Sequence, residues 1–294
     1  MLATQAISAA NGRANCFIAG GIRCGTTWLH AALAEHPEVC VSKIEKEIHY
    51  FDRHFEQGEN WYNGYFSANI NARWTVDATP AYLDAPHVAQ RLQQFEPDAR
   101  LIFMLRNPTQ RAYSDYCRRL NHGQLSLDTD YELRPDAPLV KHGRYFEHLQ
   151  TYCRYFHRDQ MLILLYEDLE RDPAALLQRV LQFLSLADFT PPNLHTRTNH
   201  TKPLKRWPLL HEGLRFCYHA ALHLPMFGSL MFRLRSQNAF SFYHRLNRSA
   251  SLTYPPFNME LQRRLIDYYR NDVAQLADWL QVDLSHWHLT QALK

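Results

Sequence analysis

Long hydrophobic runs are missing from this 294-residue chain. The longest, residues 101–105 and 161–165, fall far short of the roughly 20 residues that a membrane-spanning helix needs. The first 15 residues are small and polar, without the apolar stretch of a signal peptide, so the expected location is cytoplasmic. Cysteine is sparse. Cys16, Cys24, Cys40, Cys117, Cys153 and Cys217 are scattered, and no two form a C-x-x-C pair. This argues against a disulfide scaffold and reads as isolated thiols in a reducing compartment. No metal-ligand spacing is visible, and no metal is expected. A strong charge of one sign is lacking too: 32 Lys plus Arg against 29 Asp plus Glu leave +3, which points to no nucleic-acid partner. Internal repeats and low-complexity tracts are absent.

What the chain does have is apolar content, 46%, ample for a real core. Its length allows two domains, but one α/β unit of this size is common. Short apolar runs bounded by turn residues alternate with helical patterns. The spacing predicts strands at 16–19, 101–105 and 161–165, followed by helices at 25–35, 108–120 and 173–184. Strands that are apolar throughout suit a parallel sheet covered on both faces, hence a doubly wound α/β fold. Late in the chain Leu261, Leu265, Tyr268, Tyr269, Val273, Leu276 and Leu280 recur at helical spacing, after Pro255-Pro256 and with Asn258 as a cap. Residues 191–208 read as an exposed loop.

Three segments carry chemistry. After the first strand comes Gly20-Gly21-Ile22-Arg23-Cys24-Gly25-Thr26-Thr27. Against the phosphate-loop pattern G-x-x-x-x-G-K-[ST], Gly20, Gly25 and Thr27 match and Thr26 replaces the lysine. A strand, a glycine loop and a helix point backbone N–H groups at an anion. Without the lysine such a loop is poorly equipped for γ-phosphate chemistry, and Arg23 offers a planar cationic fork instead. An ordinary tight turn with a solvated arginine is the alternative. The second segment is Arg106-Asn107-Pro108, leaving a strand where open α/β sheets bind ligands, with Ser114 further along the next helix. Alternatively Arg106 pairs with a nearby carboxylate and Ser114 faces solvent. The third is Glu45-Lys46-Glu47-Ile48-His49-Tyr50-Phe51-Asp52. If it is extended, Glu47 and His49 share a face, and a carboxylate beside an imidazole is a reasonable proton acceptor. A solvated charged loop is the plainer reading.

Taken together the segments resemble the sulfotransferases that use 3′-phosphoadenosine 5′-phosphosulfate (PAPS), closest to the branch of the heparan sulfate sulfotransferase domains and bacterial relatives. The residues that carry this are Ile22 to Leu29, Lys46 to Asp52, Thr79-Pro80-Ala81-Tyr82-Leu83 and Leu105-Arg106-Asn107-Pro108 through Tyr116. Gly143-Arg144-Tyr145, Leu165-Tyr166-Glu167-Asp168-Leu169 and Asp172-Pro173 continue the order. The resemblance implies a single domain over 1–294, P-loop-like, with residues 1–14 flexible and 191–257 a variable, helical acceptor-side or lid region. It implies that Arg23, Cys24, Gly25, Thr26, Thr27 and Trp28 hold the 5′-phosphosulfate and that Arg106 and Ser114 hold the 3′-phosphate. Glu47 matches the catalytic base and His49 a histidine near the acceptor. Asp52, Thr79 and Tyr82 are expected acceptor contacts. Arg23 stands where the family commonly has a lysine, and Ala78 where the nearest branch has one. The implied reaction is sulfuryl transfer, without a metal, to a hydroxyl of a small natural product or a carbohydrate, with amine or carbamoyl nitrogen also open.

Two rival functions are a P-loop nucleotide kinase or NTPase and a non-catalytic nucleotide-binding module. Residues 161–168 resemble a metal-binding strand end, which favours the first, but the missing lysine disfavours it. One asymmetry stays open. Residues 200–250 hold eight Lys and Arg against Glu212 alone, a net of +7, with Trp207, Phe216, Tyr218, Phe227, Phe232, Phe240, Phe242 and Tyr243 interleaved. Residues 205–250 could be an acceptor wall, a membrane-surface contact or the packed face of a helical region.

Overall fold

A computed structural model describes residues 12–42, 44–66, 71–192, 194–195, 204 and 253–290. Five parallel strands form one sheet in the order β2-β3-β1-β4-β5. They are β1 (Cys16–Gly20), β2 (Val39–Val41), β3 (Trp74–Asp77), β4 (Arg100–Leu105) and β5 (Met161–Leu165). The three predicted strands are present, and β2 and β3 complete the sheet. Side chains alternate between two cores, as a strand's period of two requires. Phe17, Leu101, Phe103 and Ile163 enter one core, while Ile18, Ile102, Met104 and Leu164 enter the other. Both faces are covered, so the β4 run from Leu101 to Leu105 is fully buried.

Helix α1 (Thr26–Ala34) follows β1, and the short α2 (Tyr50–Arg53) and α3 (Gly58–Asn63) precede β3. Helix α4 (Val88–Phe95) follows β3, and α5 (Pro108–Asn121) follows β4. Asn107 caps α5 by accepting the N–H groups of Thr109 (3.0 Å) and Gln110 (3.3 Å), and Pro108 opens it where no N–H is needed. Helix Pro173–Phe183 follows β5 within a residue of its predicted end.

The C-terminal helix Met259–Leu280 is capped by Asn258, whose Oδ1 accepts Leu261 N–H at 2.8 Å. Its Asp272 reaches across to helix Tyr145–Tyr152 and accepts the N–H groups of Phe146 and Glu147, each at 3.1 Å. Those two donors lack intrahelical partners, so the carboxylate docks one helix on the other. Gly143 lies at the same contact. A Cβ there would stand 2.8 Å from the Tyr269 ring, so only glycine lets the helices approach. Among the described residues no helix is long and apolar enough to cross a membrane. Cys16, Cys24, Cys40 and Cys117 are buried free thiols and Cys153 is exposed. Residues 1–11 and most of 191–257, including all of the basic aromatic stretch 205–250, lie outside the described residues.

The connections out of β1 and β4, adjacent strands, run to opposite sides of the sheet. Ligands of open α/β sheets bind beyond the strand ends at such a switch point. The two anion-binding segments read from the sequence, after β1 and after β4, therefore meet at one edge.

Candidate active site

The first loop leaves β1 at Gly20, crosses β4 through Gly21 N–H to Met104 C=O (2.6 Å), and turns into α1 at Gly25. Gly25 has φ 90°, and a Cβ on it would stand 3.0 Å from Leu169 and 3.1 Å from Tyr166. Both the left-handed backbone and the close packing call for glycine. No side chain caps α1, so the N–H groups of its first turn face the loop and suit an anion. Two residues of this loop turn the other way. Cys24 is buried and its N–H goes to Gly21 C=O (3.2 Å). Trp28 is buried, with its ring N–H donated to Leu194 C=O (2.8 Å) and its backbone N–H to Gly25 C=O (2.9 Å). The resemblance expects both at the phosphosulfate; here their backbone N–H groups are committed within the loop, while no side chain caps the N–H groups of Thr26 and Thr27.

Beyond β4, the Arg106 guanidinium lies 4.6 Å over the Tyr166 ring and its Nη2 donates to Gln110 at 3.4 Å. Its buried Nε has no hydrogen-bond partner among the described residues. An unsatisfied buried donor on a cation is a fitting site for an anionic oxygen. Among the described residues Arg106 forms no ion pair with a carboxylate. The carboxylates after β5 have other partners. Glu167 accepts Asn107 N–H at 2.9 Å, and Asp168 pairs with Arg171 (2.6 Å) and Arg179 (3.2 Å). No cluster of potential metal ligands occurs among the described residues.

The two anion sites touch. Arg23 Nε donates to Ser114 Oγ at 3.1 Å. Arg23, expected at the phosphosulfate, thus reaches the residue expected at the 3′-phosphate, from a left-handed backbone with φ 68°. Burial and the positive charges of Arg118 and Arg106 lower its pKa, with Asp115 opposing them. Clustered cations of this kind are stabilised by an anion between them. Sequence reasoning had no signal for Arg118, which stands one turn beyond Ser114 and holds Asp115 at 3.3 Å.

Glu47 and His49 come together, though not by strand alternation. Residues 45–49 form a bent loop, and His49 adopts φ 56° as it enters α2. His49 Nε2 lies 3.7 Å from Glu47 Oε2, and Nδ1 lies 2.8 Å from Asp52 Oδ2. Asp52 is therefore the ring's orienting partner. Partial burial works against the charge on each group, but the contacts prevail. His49 is raised to about 9 by Asp52 and Glu47, and Glu47 is held down at about 2 by His49 and Lys46. At neutral pH the row reads carboxylate, imidazolium, carboxylate. His49 carries no free lone pair there, so Glu47, 48% exposed, is the group able to accept a proton.

A buried network holds this loop. Thr79 Oγ1 accepts Ile48 N–H at 3.1 Å and donates to Asp77 Oδ1 at 2.7 Å. The hydroxyls of Tyr62 and Tyr82 both donate to Asp77 Oδ2 at 2.9 Å. Burial pushes Asp77 up to about 6 against these three donors. Thr79 and Tyr82 are fully buried with their hydroxyls committed here, which leaves them no surface for an acceptor. Expected as acceptor contacts, both are placed in the support of the Glu47–His49 loop. Asp77 itself was missed. Its signal was an acid ending a short apolar run, Trp74–Asp77, too brief to read as a strand.

The sulfotransferase domain family matches residues 13–205. The chain belongs to that family. Among curated relatives, mouse heparan sulfate glucosamine 3-O-sulfotransferase 6 is 32% identical over 183 residues, covering 58% of this chain and 51% of that protein. The human 3-O-sulfotransferase 3B1 is 27% identical over 266 residues, covering 84% and 58%. The chain thus spans about half the length of the curated relatives it matches. A sulfotransferase structure from Alicyclobacillus acidocaldarius overlays with a TM-score of 0.65 at 24% identity, covering 94% of this chain and 99% of that one. The doubly wound parallel sheet is the fold of that structure.

Proposed function

We propose that this sulfotransferase-family chain moves the sulfuryl group of PAPS to a hydroxyl of a carbohydrate or small molecule, with Glu47 as the base. The observation that carries the reading is the juxtaposition at one sheet edge. An uncapped helix N-terminus, Arg23 on Ser114, and an ionised carboxylate braced by an imidazolium lie on neighbouring loops. The relatives' names place their own acceptor on heparan sulfate glucosamine, which supports a sugar hydroxyl here.

PAPS supplies an activated sulfuryl group, whose bridging S–O bond breaks as adenosine 3′,5′-bisphosphate leaves with the electron pair. On the protein side, Arg106, Arg23 and Ser114 fit the 3′-phosphate, and the Arg106 Nε has no hydrogen-bond partner among the described residues. In this reading the N–H groups opening α1, together with the Thr27 hydroxyl, stabilise the growing negative charge at the other end. Glu47 takes the proton of the attacking hydroxyl, and His49 fixes the carboxylate's orientation. Asp77 and Thr79 hold the loop on which both sit.

A thermal-shift comparison tests the ligand class. Adenosine 3′,5′-bisphosphate should raise the melting temperature without magnesium, and ATP with magnesium should do little. The opposite ranking would favour a phosphoryl-transfer enzyme. Radiolabelled sulfuryl transfer to a panel of sugars and small hydroxyl compounds then reads out the reaction. In that assay Glu47→Gln should abolish turnover while bisphosphate affinity stays within about twofold. Near-normal turnover in the variant would remove Glu47 from the base role.

A further inference from the structure

The sequence places threonine where a phosphate loop has lysine, and Arg23 turns toward Ser114. The first loop's own cation is thus spent at the 3′-phosphate side. Another cation fills the gap from a different loop. Lys46 Nζ lies 3.2 Å from Thr26 Oγ1, on the first residue of α1, and 3.2 Å from Glu47 Oε1. Its side chain is only 19% exposed. One turn along the same helix face is His30, whose Nε2 is buried without a partner among the described residues. Burial and the Lys46 charge together lower the His30 pKa to about 4, so it stays neutral beside the ammonium. An ammonium between an uncapped helix N-terminus and a carboxylate base stands where the transferred group must pass.

We propose that Lys46, not Arg23, is the cation that meets the sulfuryl end of the donor, and that Arg23 serves the 3′-phosphate. The assignment deepens the reading above and rests on it. The physical reason is geometric: Lys46 reaches the first turn of α1 and Arg23 reaches α5, and each carries one compact or forked charge to one anion. Without donor, Lys46 is shared with Glu47 through their 3.2 Å contact. Once the ammonium turns to the sulfuryl oxygens, the carboxylate loses a neighbouring charge that holds its proton affinity down.

Calorimetric titration without acceptor separates the two cations. Wild type, Lys46→Met, Lys46→Arg and Arg23→Met are each titrated with PAPS and with adenosine 3′,5′-bisphosphate. Lys46→Met should weaken PAPS by roughly tenfold or more and the bisphosphate by much less, since a charge-assisted hydrogen bond is at stake. Lys46→Arg, which keeps the charge and guards against a folding defect, should recover most of that loss. Arg23→Met should weaken both ligands alike, because both carry the 3′-phosphate. Equal losses for both ligands in Lys46→Met, no loss at all, or a PAPS-selective loss in Arg23→Met would each overturn the assignment. Wild type binding neither nucleotide would instead overturn the sulfotransferase reading, so the two failures are distinguishable.

Discussion

Replacing Thr79 with valine keeps the volume of the side chain and removes one oxygen. That oxygen donates to Asp77 at 2.7 Å and accepts Ile48 N–H at 3.1 Å, in a fully buried position. Valine therefore leaves a buried carboxyl short of one of its three hydroxyl donors and a buried amide without an acceptor. Each such group costs about 1–3 kcal/mol, so the combined loss should be about 3 kcal/mol. Against a whole-domain stability of roughly 5–15 kcal/mol this is a large change. Urea unfolding measures it as a lower midpoint with an unchanged slope. Thr79→Ser keeps the hydroxyl and should recover most of the loss, retaining a cost of about 1 kcal/mol for the missing methyl. The slackened Glu47–His49 loop should also lower kcat in the valine variant while leaving nucleotide affinity unchanged. A valine variant within about 0.5 kcal/mol of wild type would refute the network. So would a raised KM for acceptor with stability intact, which is the signature of an acceptor contact.

Other outcomes follow from the same geometry. Arg106→Ala should weaken adenosine 3′,5′-bisphosphate far more than adenosine 5′-phosphate, and equal losses would remove Arg106 from the 3′-phosphate site. His49 should titrate near 9 by NMR in wild type and well below that in Asp52→Asn, which lacks the 2.8 Å partner. An unchanged titration would mean that Asp52 does not hold the imidazolium. The sign for stability follows. His49's raised pKa stabilises the fold below pH 6.5, and that contribution fades as pH rises through about 9. Glu47's lowered pKa stabilises it above pH 4.5, and that contribution fades as pH falls through about 2. Unfolding followed across pH should therefore show the row's support greatest between about pH 4.5 and 6.5, and Glu47→Gln should shrink the acid limb, to which Asp84 and Asp115 also contribute.

The chain order alone settles a good deal. Three strands and four helices are legible because each is either a continuous buried run or a periodic stripe with a cap, as at Asn107 and Asn258. The anion loops are legible because glycine after a strand and arginine at a strand end are local signals, and several family motifs in order reinforce them. The strands β2 and β3 are three and four residues long, too short for any periodicity, and they form by pairing in turn, β3 on the edge of β1 and β2 on β3. Which loop each cation reaches was not legible either. Arg23 and Ser114 are 91 positions apart and Lys46 and Thr26 are 20 apart, so their pairings depend on how the sheet brings loops together. The same holds for Thr79, whose motif looks like an acceptor contact along the chain and whose hydroxyl folds inward onto Asp77. Residue type and local spacing determine what chemistry is on hand. Direction, burial and partner belong to the tertiary structure, because a side chain's neighbours across a parallel sheet are set by strand order and not by sequence distance.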